Sequence, residues 1–264
     1  ERIRAGTAAR RRRVSSVVAI FLHYNNDEER SRMKHGFPGF PEEGMTFLRA
    51  LKKNNRRDWF QPRKAVYEDK VRAPMLELVA ALQREMMEFA PDYVGDPKKA
   101  VYRIYRDTRF SGNKTPYKTN IAAVFPRRGL EKHGGAGFYF SVSPGEVAVG
   151  GGVYMPPPEA LLAIRRHLES HHARFREIAR ARAIRSLLGD VQGEQLTRVP
   201  KGFAVDHPAA DLVKFKQVLL YVEMEKAPVT NAKLYAEIAR RFRAMTPFIE
   251  FLNEPLERNA QSGK

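Results

Sequence analysis

The stretch Gly137-Phe-Tyr-Phe-Ser-Val-Ser-Pro-Gly-Glu-Val-Ala-Val149 decides the fold class. Two runs within it, Phe138 to Ser143 and Glu146 to Val149, are rich in aromatic and β-branched residues, and Ser143-Pro-Gly145 between them is a hairpin-type turn. So short a connection joins antiparallel neighbours, because parallel strands require a long crossover. The same composition predicts strands over Val101 to Tyr105 and Thr119 to Phe125 upstream, and over Leu212 to Met224 downstream.

Beyond this block the hydrophobic period lengthens to that of helices. Phe37-Pro-Gly-Phe-Pro41 leads into a short helix with Phe47, Leu48 and Leu51 inward and Asn54-Asn55 as its stop. Asp58 opens a second helix, with Gln61 at capping-box spacing and Pro62 in the first turn. Its stripe is Tyr67, Val71, Leu78, Leu82 and Met86, interrupted or bent at Pro74. A long helix is predicted from Glu159 to about Leu188, carrying Leu161, Ile164, Leu168, Phe175 and Ile178 inward and stopped by Gly189. A last helix starts at Thr230 as N-cap, buries Leu234, Ile238 and Phe242, and is bent or restarted at Pro247. The result is an α+β fold: an antiparallel sheet flanked by N-terminal helices, a long central helix and a C-terminal helix. Residues 33–264 are expected to form one domain.

Composition narrows the functional classes. At 264 residues and 43% apolar content the chain can bury a core, and no apolar run approaches the roughly 20 residues of a membrane helix. The absence of cysteine excludes disulfides, thiolate catalysis and cysteine-based metal sites, and accords with a cytoplasmic setting. The net charge of +17 attracts phosphate polyanions and anionic surfaces without choosing between them. An arginine-rich solvated surface would give the same balance. Residues 1–32 carry eight Arg against four acids, and the first methionine is Met33. Arg10 to Arg13 before Val14-Ser-Ser-Val-Val-Ala-Ile-Phe-Leu22 imitates an export signal without a small-x-small cleavage site. The favoured reading is an unstructured or non-native extension; an export signal and a nucleic-acid-binding arm are the alternatives.

Function-bearing chemistry concentrates in Val101-Tyr-Arg-Ile-Tyr-Arg-Asp-Thr-Arg-Phe-Ser-Gly-Asn-Lys-Thr-Pro-Tyr-Lys118. Arg103, Arg106, Arg109, Lys114 and Lys118 stand among four aromatics with one acid, Asp107. Guanidinium and ammonium donors beside aromatic faces suit a phosphate, a carboxylate or a stacked base. A turn at Ser111-Gly-Asn113 would return Lys114 and Lys118 alongside the arginines. The candidate anion-binding set is therefore Arg103, Arg106, Arg109, Asn113, Lys114, Tyr117 and Lys118. Its partner would be nucleic acid or a phosphorylated small molecule. A second reading makes the region an enzyme's, with Asp107 as acid or base, Tyr105 sharing proton transfer, and Lys114 or Arg106 stabilising charge. A third makes it purely structural, with Asp107 paired to Arg109 or Arg106 and tyrosine stacked on guanidinium.

The spacing Arg103-x-x-Arg106-Asp107-x-Arg109-Phe110-x-x-Asn113-Lys114-x-x-Tyr117-Lys118 resembles the signature of the Domain of Unknown Function 2461 family, whose members are mostly bacterial. Asn54-Asn-Arg-Arg-Asp-Trp-Phe60, Gly137 to Pro144 and Gly150-Gly-Gly-Val-Tyr154 agree with it, so the resemblance spans about Phe37 to Leu256. It implies kinship and leaves activity, cofactor and catalytic residues open.

Other constellations are weaker. Gly150-Gly-Gly152 lies between a strand and a helix start, where amides can cradle an anion, but it matches no phosphate-loop spacing. A bulge or a close chain approach is the favoured account. His167 and His171 share a helix face and could make a two-point metal site; the order is not H-E-x-x-H, and a solvated face is favoured. The arginines from Arg165 to Arg185 read as a solvated helix surface, or as a basic helix laid on nucleic acid. Trp59 reads as a core anchor. No cofactor is expected.

Overall fold

A computed structural model describes residues 36–109, 111–130 and 134–262; the 1–32 extension and Phe110 lie outside the described residues. The first helix, α1 (Glu42–Lys53), buries Phe47, Leu48 and Leu51 and ends at Asn54, whose side chain bonds the Ala50 carbonyl at 3.0 Å. A long helical stretch follows in pieces: α2 (Arg57–Phe60), a 3₁₀ turn, α3 (Lys64–Tyr67), a π turn over Glu68–Arg72, and α4 (Ala73–Phe89). The interruption foreseen at Pro74 is this π turn. Pro74 has no N–H for the Lys70 carbonyl four residues earlier, and its ring would collide with that oxygen; widening the turn relieves both. The predicted capping box is not formed. The helix opens at Arg57 without a side-chain cap, and Asp58 sits inside it, 3.5 Å from Arg56.

After α5 (Pro97–Ala100), four strands form one antiparallel sheet in the order β1 (Ile121–Pro126), β2 (Gly137–Ser143), β3 (Glu146–Val153) and β4 (Val218–Glu225). The hairpin is as expected: Ser143 pairs with Glu146, and Gly145 takes φ +85 after Pro144, the positive φ that such a turn gives to glycine. Two predicted strands depart from what their composition suggests. Leu212–Lys214 is a 3₁₀ turn, so the strand there begins only at Val218. Val101 to Tyr105 is not a strand. Val101 bridges to Ala123 on β1, whereas Tyr105 bridges to Tyr117, so the segment divides its pairing between two partners and builds no continuous ladder.

The glycine triplet belongs to β3, opposite Leu219 to Tyr221, and not to a helix-start loop. Close approach is its reason. A Cβ on Gly151 would lie 2.6 Å from Met245 Sδ and 2.8 Å from Ile249 Cδ1, both on α9 (Lys233–Ser262), which crosses this face of the sheet. Phe242 of the same helix touches Phe125, Phe138 and Phe140. Pro247 neither ends nor restarts α9, and Asn231, one residue beyond the predicted Thr230, accepts the Lys233 N–H at its start.

The stretch predicted as one helix from Glu159 is three: α6 (Pro158–Ser170), α7 (His172–Arg180) and α8 (Arg182–Leu188). His171 (φ −125, ψ 27) and Ala181 (φ −53, ψ 134) leave helical geometry. The breaks keep Ile164, Leu168, Phe175, Ile184 and Leu188 buried as the chain wraps α9, where a straight helix would carry that stripe off its partner. Gly189 stops the run at φ +76. The arginines here do more than solvate. Arg174 grips Glu254, Arg176 grips Asp211, and Arg165 bonds the Phe215 carbonyl, which ties α6 and α7 to their surroundings.

Candidate functional site

The segment 101–118 folds as two limbs at the edge of β1. Tyr102 N–H bonds the Ala122 carbonyl, fixing the first limb to the sheet; Arg106 N–H to Pro116 O and Lys118 N–H to Ile104 O then close the second limb on the first. The tip is held by its own side chains. Asn113 Oδ1 accepts from the Thr115 N–H and hydroxyl, and Ser111 Oγ accepts the Asn113 N–H, the local bonding that these residues favour in turns. Tyr117 is buried, stacked on Phe60 with ring centroids 4.1 Å apart. The Asn55 amide clasps its backbone from both sides, donating to Tyr117 O at 2.9 Å and accepting its N–H at 3.0 Å. Phe47 and Tyr67 back Phe60, and half-buried Trp59 packs on Phe47 with Arg63 4.7 Å over its ring.

Two cavities of about 330 and 340 Å³ lie against this platform, and Arg106 and Tyr117 line both. The first adds Arg57, Gln61, Tyr105 and Thr108; the second adds Lys52, Asn55, Asn113, Thr115, Lys118 and Asn120. Among the described residues, no Asp or Glu lines either cavity. Arg106 donates to Thr115 Oγ1 at 2.8 Å, and the Lys118 ammonium sits 4.8 Å over the Tyr102 ring. Burial, aided by neighbouring Tyr105, pushes the Tyr117 phenol up, with Arg57 and Gln61 pulling the other way, so it remains a neutral hydroxyl at ordinary pH.

Of the residues singled out in the sequence, Arg106, Asn113, Tyr117 and Lys118 come together at the cavities. Arg103, Arg109 and Lys114 do not line them. Arg103 is exposed, and the Lys114 ammonium bonds the Thr108 carbonyl at 2.9 Å. Arg109 is held by Asp107 through Nε at 3.1 Å and Nη2 at 2.8 Å. This pairing, together with the Arg109 N–H, holds the Asp107 carboxyl down at about 2. Asp107 is thus ionised at neutral pH, has no proton to give as an acid, and lines neither cavity. Because this ion pair is exposed, Asp107→Asn is expected to leave the melting temperature unchanged. A clear fall in thermal denaturation would instead make the pair a support of the turn.

Sequence reasoning missed Arg57, Gln61 and Lys52 as cavity residues. The only hint was the double asparagine: Asn54 suffices to stop α1, which leaves Asn55 for another task.

The histidines take different places from those expected. His167 is buried against Phe251, its Nε2 3.2 Å from Glu254 Oε2, and its ring lies 4.3 Å from that of His171. The solvated-face account therefore fails for His167: α9 covers it. Among the described residues, no group of three or more His, Cys, Asp or Glu is placed to hold a metal ion. Nor is any described helix long and apolar enough to cross a membrane.

No curated protein and no solved structure matches the chain. A family model described as a conserved hypothetical protein (DUF2461) matches residues 43–251, which include both limbs, the platform beneath them and the whole sheet, and the chain belongs to that family.

Proposed function

We propose that the paired cavities around Arg106 bind an anionic group, a phosphate or carboxylate. One observation carries the reading: Arg57, Arg106, Lys52 and Lys118 converge on two adjoining cavities whose lining, among the described residues, contains no carboxylate. A purely structural arginine network supplies its own acids, as Asp107 does for Arg109 at the outer turn. Among the described residues no carboxylate in the lining plays that part beside Arg57, Arg106 and Lys52. Arg106 presents a planar fork of donors suited to bidentate capture of an oxyanion, and the Tyr117 hydroxyl adds a neutral donor.

The test is titration of inorganic phosphate into the full chain at low and moderate salt, with circular dichroism as the control for folding. Arg106→Ala is expected to abolish binding while the fold persists, since the half-buried side chain loses one hydrogen bond, worth about 1 kcal/mol. Arg106→Lys should retain part of the affinity, having charge without the fork. Unchanged phosphate binding in folded Arg106→Ala would sink the reading.

A further inference from the structure

The two cavities differ in kind, and the difference says what sort of molecule would span them. Tyr105 is 43% exposed, one of the few large apolar side chains left open to solvent. It is nonetheless held in place, because its ring packs on Tyr117 at 5.5 Å and on Phe60 at 6.4 Å, and it lines the first cavity. Gln61 stands at the same cavity with an amide that both donates and accepts, as a base edge requires. Among the described residues, no exposed ring lines the second cavity. It offers Lys52, Lys118, Thr119 and Asn120, ammonium, hydroxyl and amide groups suited to oxyanions. Arg106 lines both and stands at the junction.

A bare phosphate needs neither an aromatic platform nor this much room. Each cavity reaches the lower end of the small-ligand range, about 300–1,000 Å³. We infer that the ligand is a nucleoside phosphate, its base on Tyr105 beside Gln61 and its phosphate on Arg106, extending toward Lys118 and Lys52. The inference rests on the anion-binding reading above. A free nucleotide and one unit of a single strand present the same chemistry, so the test separates them.

The experiment is calorimetric titration of the full chain at low salt with AMP, GMP, CMP, UMP, ribose 5-phosphate, inorganic phosphate and a single-stranded tetranucleotide. At least one nucleotide is expected to bind about tenfold or more tighter than ribose 5-phosphate, the scale that stacking of one base supplies. Tyr105→Ala should erase that margin and leave ribose 5-phosphate binding intact, while Tyr105→Phe should keep it. A tetranucleotide that gains more than its fourfold number of units assigns the site to strands; one that gains no more assigns it to free nucleotides. If no nucleotide exceeds ribose 5-phosphate, while inorganic phosphate still binds through Arg106, the nucleotide assignment is wrong and the anion site stands. If none of these ligands binds, both fall.

Discussion

Asn253→Leu is expected to remove about 3–6 kcal/mol of folding stability, a large part of the 5–15 kcal/mol typical of a domain. Asn253 lies on α9 with no exposure at all. Its Oδ1 accepts the Ala136 N–H at 2.8 Å, and its Nδ2 donates to the Ala136 carbonyl at 2.9 Å and to the Tyr93 hydroxyl at 2.8 Å. One side chain thereby satisfies the backbone at the head of β2 and a buried phenol. Leucine keeps the branched outline, but its methyl groups cannot sit 2.8–2.9 Å from their neighbours as the amide does, so crowding adds to the loss. The larger penalty is electrostatic: the Ala136 N–H and carbonyl remain buried with nothing to bond, each costing about 1–3 kcal/mol, while the Tyr93 hydroxyl keeps the Arg127 guanidinium beside it. Tyr93 cannot escape by ionising, because burial pushes its phenol well above the usual range. Urea denaturation followed by circular dichroism measures the effect. A loss below about 1 kcal/mol would mean that water reaches Ala136 and replaces the amide.

The parts of this architecture that were legible from residues are those in which local chemistry and tertiary packing agree. Phe138 to Ser143 and Glu146 onward read as strands and are strands, because aromatic and β-branched side chains face α9 on one side of a two-residue turn. Val101 to Tyr105 has the same composition and is not a strand. Its pairing partner changes from β1 to the returning limb, which composition cannot reveal. The glycine triplet read as a bulge or a close chain approach, and it is the second, inside β3, where the reason is Met245 and Ile249, nearly a hundred residues further along. The candidate site divides in the same way. Arg106, Asn113, Tyr117 and Lys118 announce themselves by local density of charge and aromatics. Arg57, Gln61 and Lys52 join them only because Asn55 clasps Tyr117 across 62 residues, and no periodicity encodes that contact.

That same dependence on distant packing makes Gly44→Ala the second large effect. By local propensity the change should help, since alanine in a helix interior is favoured over glycine by about 1 kcal/mol. At Gly44 the surroundings reverse the sign. A Cβ there would stand 2.1 Å from the Lys70 carbonyl oxygen and 3.0 Å from its carbon, and both are backbone atoms that cannot swing aside. Lys70 belongs to the π turn forced by Pro74, so α1 rests directly on the widened segment and must be pushed off it. Overpacking of this kind costs about 1–3 kcal/mol, and more where backbone must move, so a net loss of about 2 kcal/mol or greater is expected. The displacement should also reach the cavities. Lys52 and Asn55 belong to α1 and the residues just past it, whereas Arg57, Gln61 and Phe60 lead into the π turn. Shifting one against the other separates the walls of the two cavities, so phosphate affinity should fall together with the melting temperature. Gly95→Ala is the control, with no heavy atom within 4 Å of the added carbon and no positive φ, and should alter neither quantity. Should Gly44→Ala melt like the parent chain, the contact between α1 and the π turn would be looser than its geometry requires. A Gly44→Ala chain that melts early yet binds phosphate normally would show that Tyr117, held by Asn55 and Phe60, fixes the cavities independently of α1.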